Sequence, residues 1–207
     1  MKARYAITGA AFFVLSGADA AVATASGMVG NPRAASCPDL GDASEANDGF
    51  PNRTSTLVGR DIRTGGHDCV ERVVIELQGT GELPGYSVRY ESDPILEDPS
   101  GEPVEIAGDA TLVVSFGSWF IDPEGNGYTG PQEIVPTNVV NILELELIEN
   151  NEGQSSWAIG LDRQRDFTVS TLSDPARIVI DIALDPTGVA PTTVPGPVAQ
   201  PSLPATR

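Results

Sequence analysis

The chain is short of cations, histidine, cysteine and helical pattern. Lys2 is its only lysine, His67 its only histidine, and Cys37 and Cys69 its only cysteines. One histidine beside one cysteine falls short of the three or four ligands a zinc site requires, and no Ser-His-Asp or Cys-His set can be assembled beyond His67. His67 therefore reads as a surface or packing residue at a strand-entry turn, and no cofactor is implied. Lys and Arg number 12 against 29 Asp and Glu, a formal net charge of -17. Such a surface repels nucleic acid and anionic lipid, so neither is expected as a direct partner. The N-terminal apolar run is too short to span a bilayer as a stable helix, and no later stretch is long and apolar enough to try. Membrane insertion is thus not expected.

What is present begins with an export pattern. Lys2 and Arg4 precede the apolar run 6–15, and small residues follow, with A-x-A sites ending at Ala20, Ala23 or Ala25. This is the form of a secretory signal peptide over residues 1–25. Cys37 lies well beyond the apolar run, behind Ala34-Ala35-Ser36, and does not read as a lipidation site. In an exported chain two cysteines form a disulfide, here Cys37 with Cys69, while a free reactive thiol at Cys69 is the sharper alternative. Closing that loop stabilises by about 3–4 kcal/mol in the chain-entropy model.

Residues 26–53 are rich in Gly, Ala, Ser, Asp and Asn without a sustained period, as in a linker or extended arm. Residues 54–185 form one folded domain, and residues 186–207, with Pro186, Pro191, Pro195, Pro197, Pro201 and Pro204, read as a disordered, extended tail.

The folded part is expected to be all-β. Arg72-Val73-Val74-Ile75-Glu76-Leu77 and Arg177-Ile178-Val179-Ile180-Asp181-Ile182 share one pattern, basic then branched then acidic then aliphatic, with no helical period between them. Further strands are read at 86–90, 110–116, 143–147, 156–161 and 167–172. Turn chemistry separates them at Gly79-Thr80-Gly81, Asp98-Pro99-Ser100-Gly101, Asp122-Pro123-Glu124-Gly125-Asn126-Gly127 and Asp174-Pro175. Many short punctuated strands read as an antiparallel sandwich or barrel. Ile178, Ile180 and Ile182 point inward, with Val179 and Asp181 outward. Leu143, Leu145 and Leu147 alternate with Glu144 and Glu146, which gives one apolar and one wet, acidic face. Arg72 and Glu76 share a face but lie too far apart to pair within one strand, as do Arg177 and Asp181, which leaves cross-strand pairing.

In order and spacing, 61–67, 71–77 and 83–90, then Trp157-Ala158-Ile159-Gly160-Leu161, Phe167-Thr168-Val169 and 174–181, resemble the AMIN-like domains of actinobacterial secreted proteins and lipoproteins. The correspondence covers about 57–182. It departs at Val70-Glu71-Arg72, where the family has Gly-Asp-Arg, and at Asn151-Glu152-Gly153, where it has Phe-Glu-Gly; the cysteine pair is an addition. The resemblance implies a sandwich of two similar sheets, one explanation for the twin strands, and kinship with AMIN domains that hold amidases and secretins at the cell wall without being catalytic.

The expected function is therefore that of an exported, non-catalytic, cell-envelope module binding peptidoglycan or a wall-associated partner. One alternative is an adaptor for a protein partner. A further one is a wall hydrolase using paired acids such as Glu144 and Glu146. Sugar faces stack on exposed aromatics, while aromatics of a small sandwich also fill its core, the place expected for Trp157. Trp119 and Phe120 are adjacent and cannot both point inward along a continuing strand, so one of them, with Asn126 and Tyr128, makes the candidate binding surface.

Overall fold

The structure, a computed structural model, describes Cys37, Leu40 and residues 44–184. The expected signal peptide, most of the expected linker and the proline-rich tail lie outside the described residues. Twelve strands follow one another: β1 Glu45–Asp48, β2 Val58–Gly66, β3 Val70–Gln78, β4 Tyr86–Glu91, β5 Ile95–Leu96, β6 Pro103–Val104, β7 Ala110–Phe116, β8 Glu133–Ile134, β9 Ile142–Asn151, β10 Gln154–Leu161, β11 Phe167–Ser173 and β12 Ala176–Ala183. They build a six-stranded sheet in the order β1-β4-β7-β10-β9-β8, a four-stranded sheet in the order β11-β12-β3-β2, and the small β5-β6 ribbon. All named pairings are antiparallel.

Period-2 alternation explains the main packing. In β3 the inward residues Val73, Ile75 and Leu77 are buried, as are Ile178, Ile180 and Ile182 of β12. They join Leu112, Val114, Phe116, Leu145, Leu147, Trp157 and Ile159 of the larger sheet in one core, so two sheets pack face to face. Trp157 lies wholly within it, as expected. Burying each such side chain contributes about 1.5–3 kcal/mol against the entropy of ordering it.

The twin strands lie side by side in the smaller sheet. Their register sets Arg72 opposite Asp181, Val74 opposite Val179 and Glu76 opposite Arg177. Because each strand reads basic then, four residues on, acidic, antiparallel pairing puts opposite charges across from each other at both ends. Arg72 and Asp181 form a two-pronged ion pair, with Nε to Oδ1 at 2.6 Å and Nη2 to Oδ2 at 2.8 Å. Glu76 instead meets Arg60 at 3.2 Å and Arg63 at 3.0 Å from β2, and Arg177 Nε donates to the Pro175 carbonyl. The two sheets are unequal in size, and the likeness of the twins serves a pairing within one of them.

Four expectations change. The supposed arm at 26–53 supplies β1, which pairs with β4 at the edge of the larger sheet. Residues 58–66, with Ile62 the only buried hydrophobic side chain among Gly, Arg and Asp, form the nine-residue β2, which alternation does not reveal. Val179 is buried at 5% exposure although it faces outward, because β12 is an interior strand. The outer face at Glu144 is covered too: Glu144 is 8% exposed, and its Oε2 accepts the Ala107 N–H at 2.7 Å. Beside it a second apolar cluster, Ile95, Val113, Ile148 and Ala158 with Ile106, sits under the segment carrying β5 and β6.

The Cys37–Cys69 disulfide forms, with Cα atoms 5.2 Å apart, and fastens the chain ahead of β1 to the entry of β3.

Candidate ligand-binding site

The exit of β7 is where the chain brings an aromatic to the surface. After Phe116 the backbone turns at Gly117-Ser118, and this turn decides between the two adjacent aromatics. Phe120 goes inward, wholly buried, with its ring 6.0 Å from Phe116, 4.8 Å from Tyr128 and 5.3 Å from Trp157. Gly59 of β2 makes room for it, since a Cβ there would stand 2.3 Å from the Phe120 ring. Trp119 is left half-buried, over the β9–β10 turn, where a Cβ on Gly153 would lie 3.7 Å from its Nε1.

A polar network holds this segment rigid. The Ser118 hydroxyl donates to the Leu57 carbonyl, and Ser155 Oγ donates to the Ser118 carbonyl at 2.9 Å. The Phe120 N–H reaches Ser155 Oγ at 2.8 Å and Asn150 Oδ1 at 3.0 Å; Asn150 Oδ1 also accepts from Ile121 N, and its Nδ2 returns a bond to the Ile121 carbonyl at 2.8 Å. The Trp119 carbonyl accepts from Gly59 N at 3.1 Å. The backbone on both sides of Trp119 is thus tied to β2, β9 and β10, which spares a ligand there the cost of ordering the main chain. Ser118, Asn150 and Ser155 went unnoticed in the sequence. Their signal was polarity inside apolar strands, since a buried Ser or Asn requires a hydrogen-bond partner.

The loop beyond is closed on itself. Asp122 accepts from Asn126 twice, backbone N to Oδ1 at 2.7 Å and Nδ2 to Oδ2 at 2.9 Å. These bonds, the side-chain one foremost, hold the Asp122 carboxyl below its usual range. The Asp122 carboxylate therefore serves the turn. Asn126 is exposed, with its side-chain amide N–H given to Asp122 and its backbone carbonyl accepting from Asp122 N. Tyr128 is 6% exposed and its hydroxyl donates to the Pro131 carbonyl at 3.0 Å; burial pushes that phenol up.

Of the four residues expected to form a binding surface, Trp119 and Asn126 remain at the surface, while Phe120 and Tyr128 belong to the core that supports it. The physical reason is volume: two rings beside Trp157 complete the end of the sandwich, and only one neighbour of Trp119 could be spared. The other nominated pair, Glu144 and Glu146, lies on a covered face. Burial first, then Glu144, Glu133 and Glu97 nearby, push the Glu146 carboxyl up. A polar cavity of about 340 Å³ opens elsewhere, between Tyr90, Glu91, Asp93 and the 108–111 segment.

A two-sheet, all-β module is the class of protein these features define. The AMIN-like domain model matches residues 57–184, more than half of the chain, so the chain belongs to the AMIN-like family. Such domains are generally non-catalytic binding modules, and the family suggests a role at the cell envelope. No curated protein and no solved structure matches the chain.

Proposed function

We propose that this protein is an exported, non-catalytic module that binds a glycan of the cell wall, peptidoglycan foremost, through the Trp119 surface. The observation that carries the reading is the half-buried Trp119, its backbone fixed on both sides by Ser118, Asn150 and Ser155. A sugar ring presents a flat C–H face that stacks on an indole, and its hydroxyls bond to polar groups at the ring edge. At Trp119 that group is its own Nε1, which has no partner among the described residues and stands over the β9–β10 turn at Gly153. The acidic surface implies that affinity comes from stacking and hydrogen bonding rather than from charge, so it persists or improves as salt rises.

The test is co-sedimentation with purified sacculi, alongside thermal unfolding of each variant. Trp119→Ala is expected to fold and to weaken binding about tenfold, equivalent to about 1.4 kcal/mol. Phe120→Ala is expected instead to unfold the domain or lower its melting point sharply, by the 3–5 kcal/mol typical of a buried Phe, roughly. Unchanged binding by a folded Trp119→Ala protein would sink the assignment.

A further inference from the structure

Four strands form the edges of the two main sheets, and three of them are blocked. β1 is four residues long with Glu45 and Asp48, and β8 has two residues. β2 carries a bulge at Arg60 and the charges of Arg60, Asp61 and Arg63, and its Thr64 carbonyl is already taken by Asn138 Nδ2 at 2.7 Å. Shortness, charge, bulges and covering loops are the devices that keep sheet edges from recruiting other chains.

β11 has none of these. Its seven residues, Phe-Thr-Val-Ser-Thr-Leu-Ser, contain no charge, glycine or proline, and they run against β12 without a register shift. Thr168 and Ser170 through Ser173 are exposed, and Leu172 is 45% exposed. The side on which its backbone lies open follows from two bonds: Ala183 N donates to the Asp166 carbonyl, and Leu184 N to the Cys69 carbonyl. Alternate residues of β12 therefore face β11 and β3. Carried along the continuous register, this bonds Thr168 to Asp181, Ser170 to Val179 and Leu172 to Arg177. Val169 and Thr171 then turn their N–H and C=O groups away from the sheet, and no described residue pairs with them.

We infer that β11 is a docking edge which takes up an extended segment of another protein as an added strand, one with an uncharged, β-branched centre and a basic residue at each end. Charge selects this occupant. Asp166 and Asp174 bracket β11, both exposed and neither paired with a cation among the described residues. They lie eight residues apart, about 27 Å at about 3.4 Å per residue, in a chain of formal net charge -17. A second copy would bring the same excess of negative charge to the contact. The chain's own tail past residue 185 is interrupted by prolines, each lacking the N–H a ladder needs. A cationic-ended strand gains main-chain bonds to Val169 and Thr171 and an ion pair at each end. This surface uses none of the Trp119 residues and stands independently of the glycan reading.

The probe is a synthetic Lys-Thr-Val-Thr-Val-Thr-Val-Thr-Lys peptide titrated onto the full chain, followed by amide exchange. Saturable binding with new protection at Val169 and Thr171 is expected, along with loss of binding by the same peptide ended in Glu. Thr171→Pro removes one outward donor without touching the β12 ladder, and Thr171→Lys adds a repelling charge. Each is expected to weaken the peptide about tenfold or more at an unchanged melting point. Should the proline variant unfold, the lysine variant carries the comparison. Absence of binding, or equal binding by the folded variants, would overturn the proposal. So would protection of Val169 and Thr171 in the free chain, which would assign the edge to its own tail, or protection that grows with protein concentration, which would assign it to a second copy.

Discussion

Glu71 offers the sharpest test of how this fold is held. It stands on the inward face of β3, in line with Val73, Ile75 and Leu77, and is 3% exposed. No cation among the described residues forms an ion pair with it. Its carboxylate instead collects backbone N–H groups from the segment entering β9: Val140 at 2.6 Å, Asn141 at 2.9 and 3.2 Å, and Ile142 at 3.0 Å. Glu71→Ala leaves these donors without an acceptor. Val140 is 79% exposed and its N–H can turn to water, whereas Ile142 at 1% cannot, and Asn141 is half-buried. Two stranded donors at about 1–3 kcal/mol each, less the relief of no longer burying a charge, give a net loss of about 2–4 kcal/mol. For a domain of this size that lowers the melting point by roughly 6–16 °C. Glu71→Gln keeps one accepting oxygen and should fall between. The assay is thermal unfolding by circular dichroism with amide exchange at residues 140–142. If Glu71→Ala melts within about 2 °C of the parent, or those amides exchange no faster, the carboxylate is not what pins this segment.

Two carboxylates should show opposite pH behaviour. Glu146 has its carboxyl pushed up, by burial first and by Glu144, Glu133 and Glu97 next, so its charged form is penalised above the folded value and the penalty fades as pH falls toward the unfolded one; Glu146→Gln should raise the melting point at neutral pH and leave it unchanged in acid. Asp162 is held down chiefly by its hydrogen bonds from Arg165 at 2.7 and 2.8 Å, so it contributes stability above the ordinary carboxylate range that is lost as pH falls through its lowered value, and Asp162→Asn should flatten the acid limb of a pH–stability curve. The Cys37–Cys69 bond closes a separation of 32 residues; the intact protein should show no free thiol before reduction, and reduction should cost about 3 kcal/mol in denaturant unfolding, with quantitative alkylation of the unreduced chain as the refuting result.

Local chemistry by itself determined a good part of this protein. Alternation in 72–77 and 177–182 set which side chains enter the core between the sheets, because a strand's period of two leaves little choice once one face is apolar. The turn signals at 79–81, 98–101, 122–127 and 174–175 separated the strands correctly, and two cysteines behind an export pattern named the disulfide. Tertiary structure alone decided the rest. Whether the twin strands share a sheet depends on pairing across more than a hundred residues, which no local pattern encodes; the match of Arg72 to Asp181 becomes meaningful only once the register is known. β2 escaped notice because its strand character comes from backbone bonds to β3 rather than from its own side chains. Trp119 and Phe120 are alike in a sequence window, and the bend at Ser118, fastened by Ser155 and Asn150 from distant strands, chose which ring was left at the surface. Glu71 reads as a charged residue out of place in an apolar row until the N–H groups of 140–142, far along the chain, arrive to receive it.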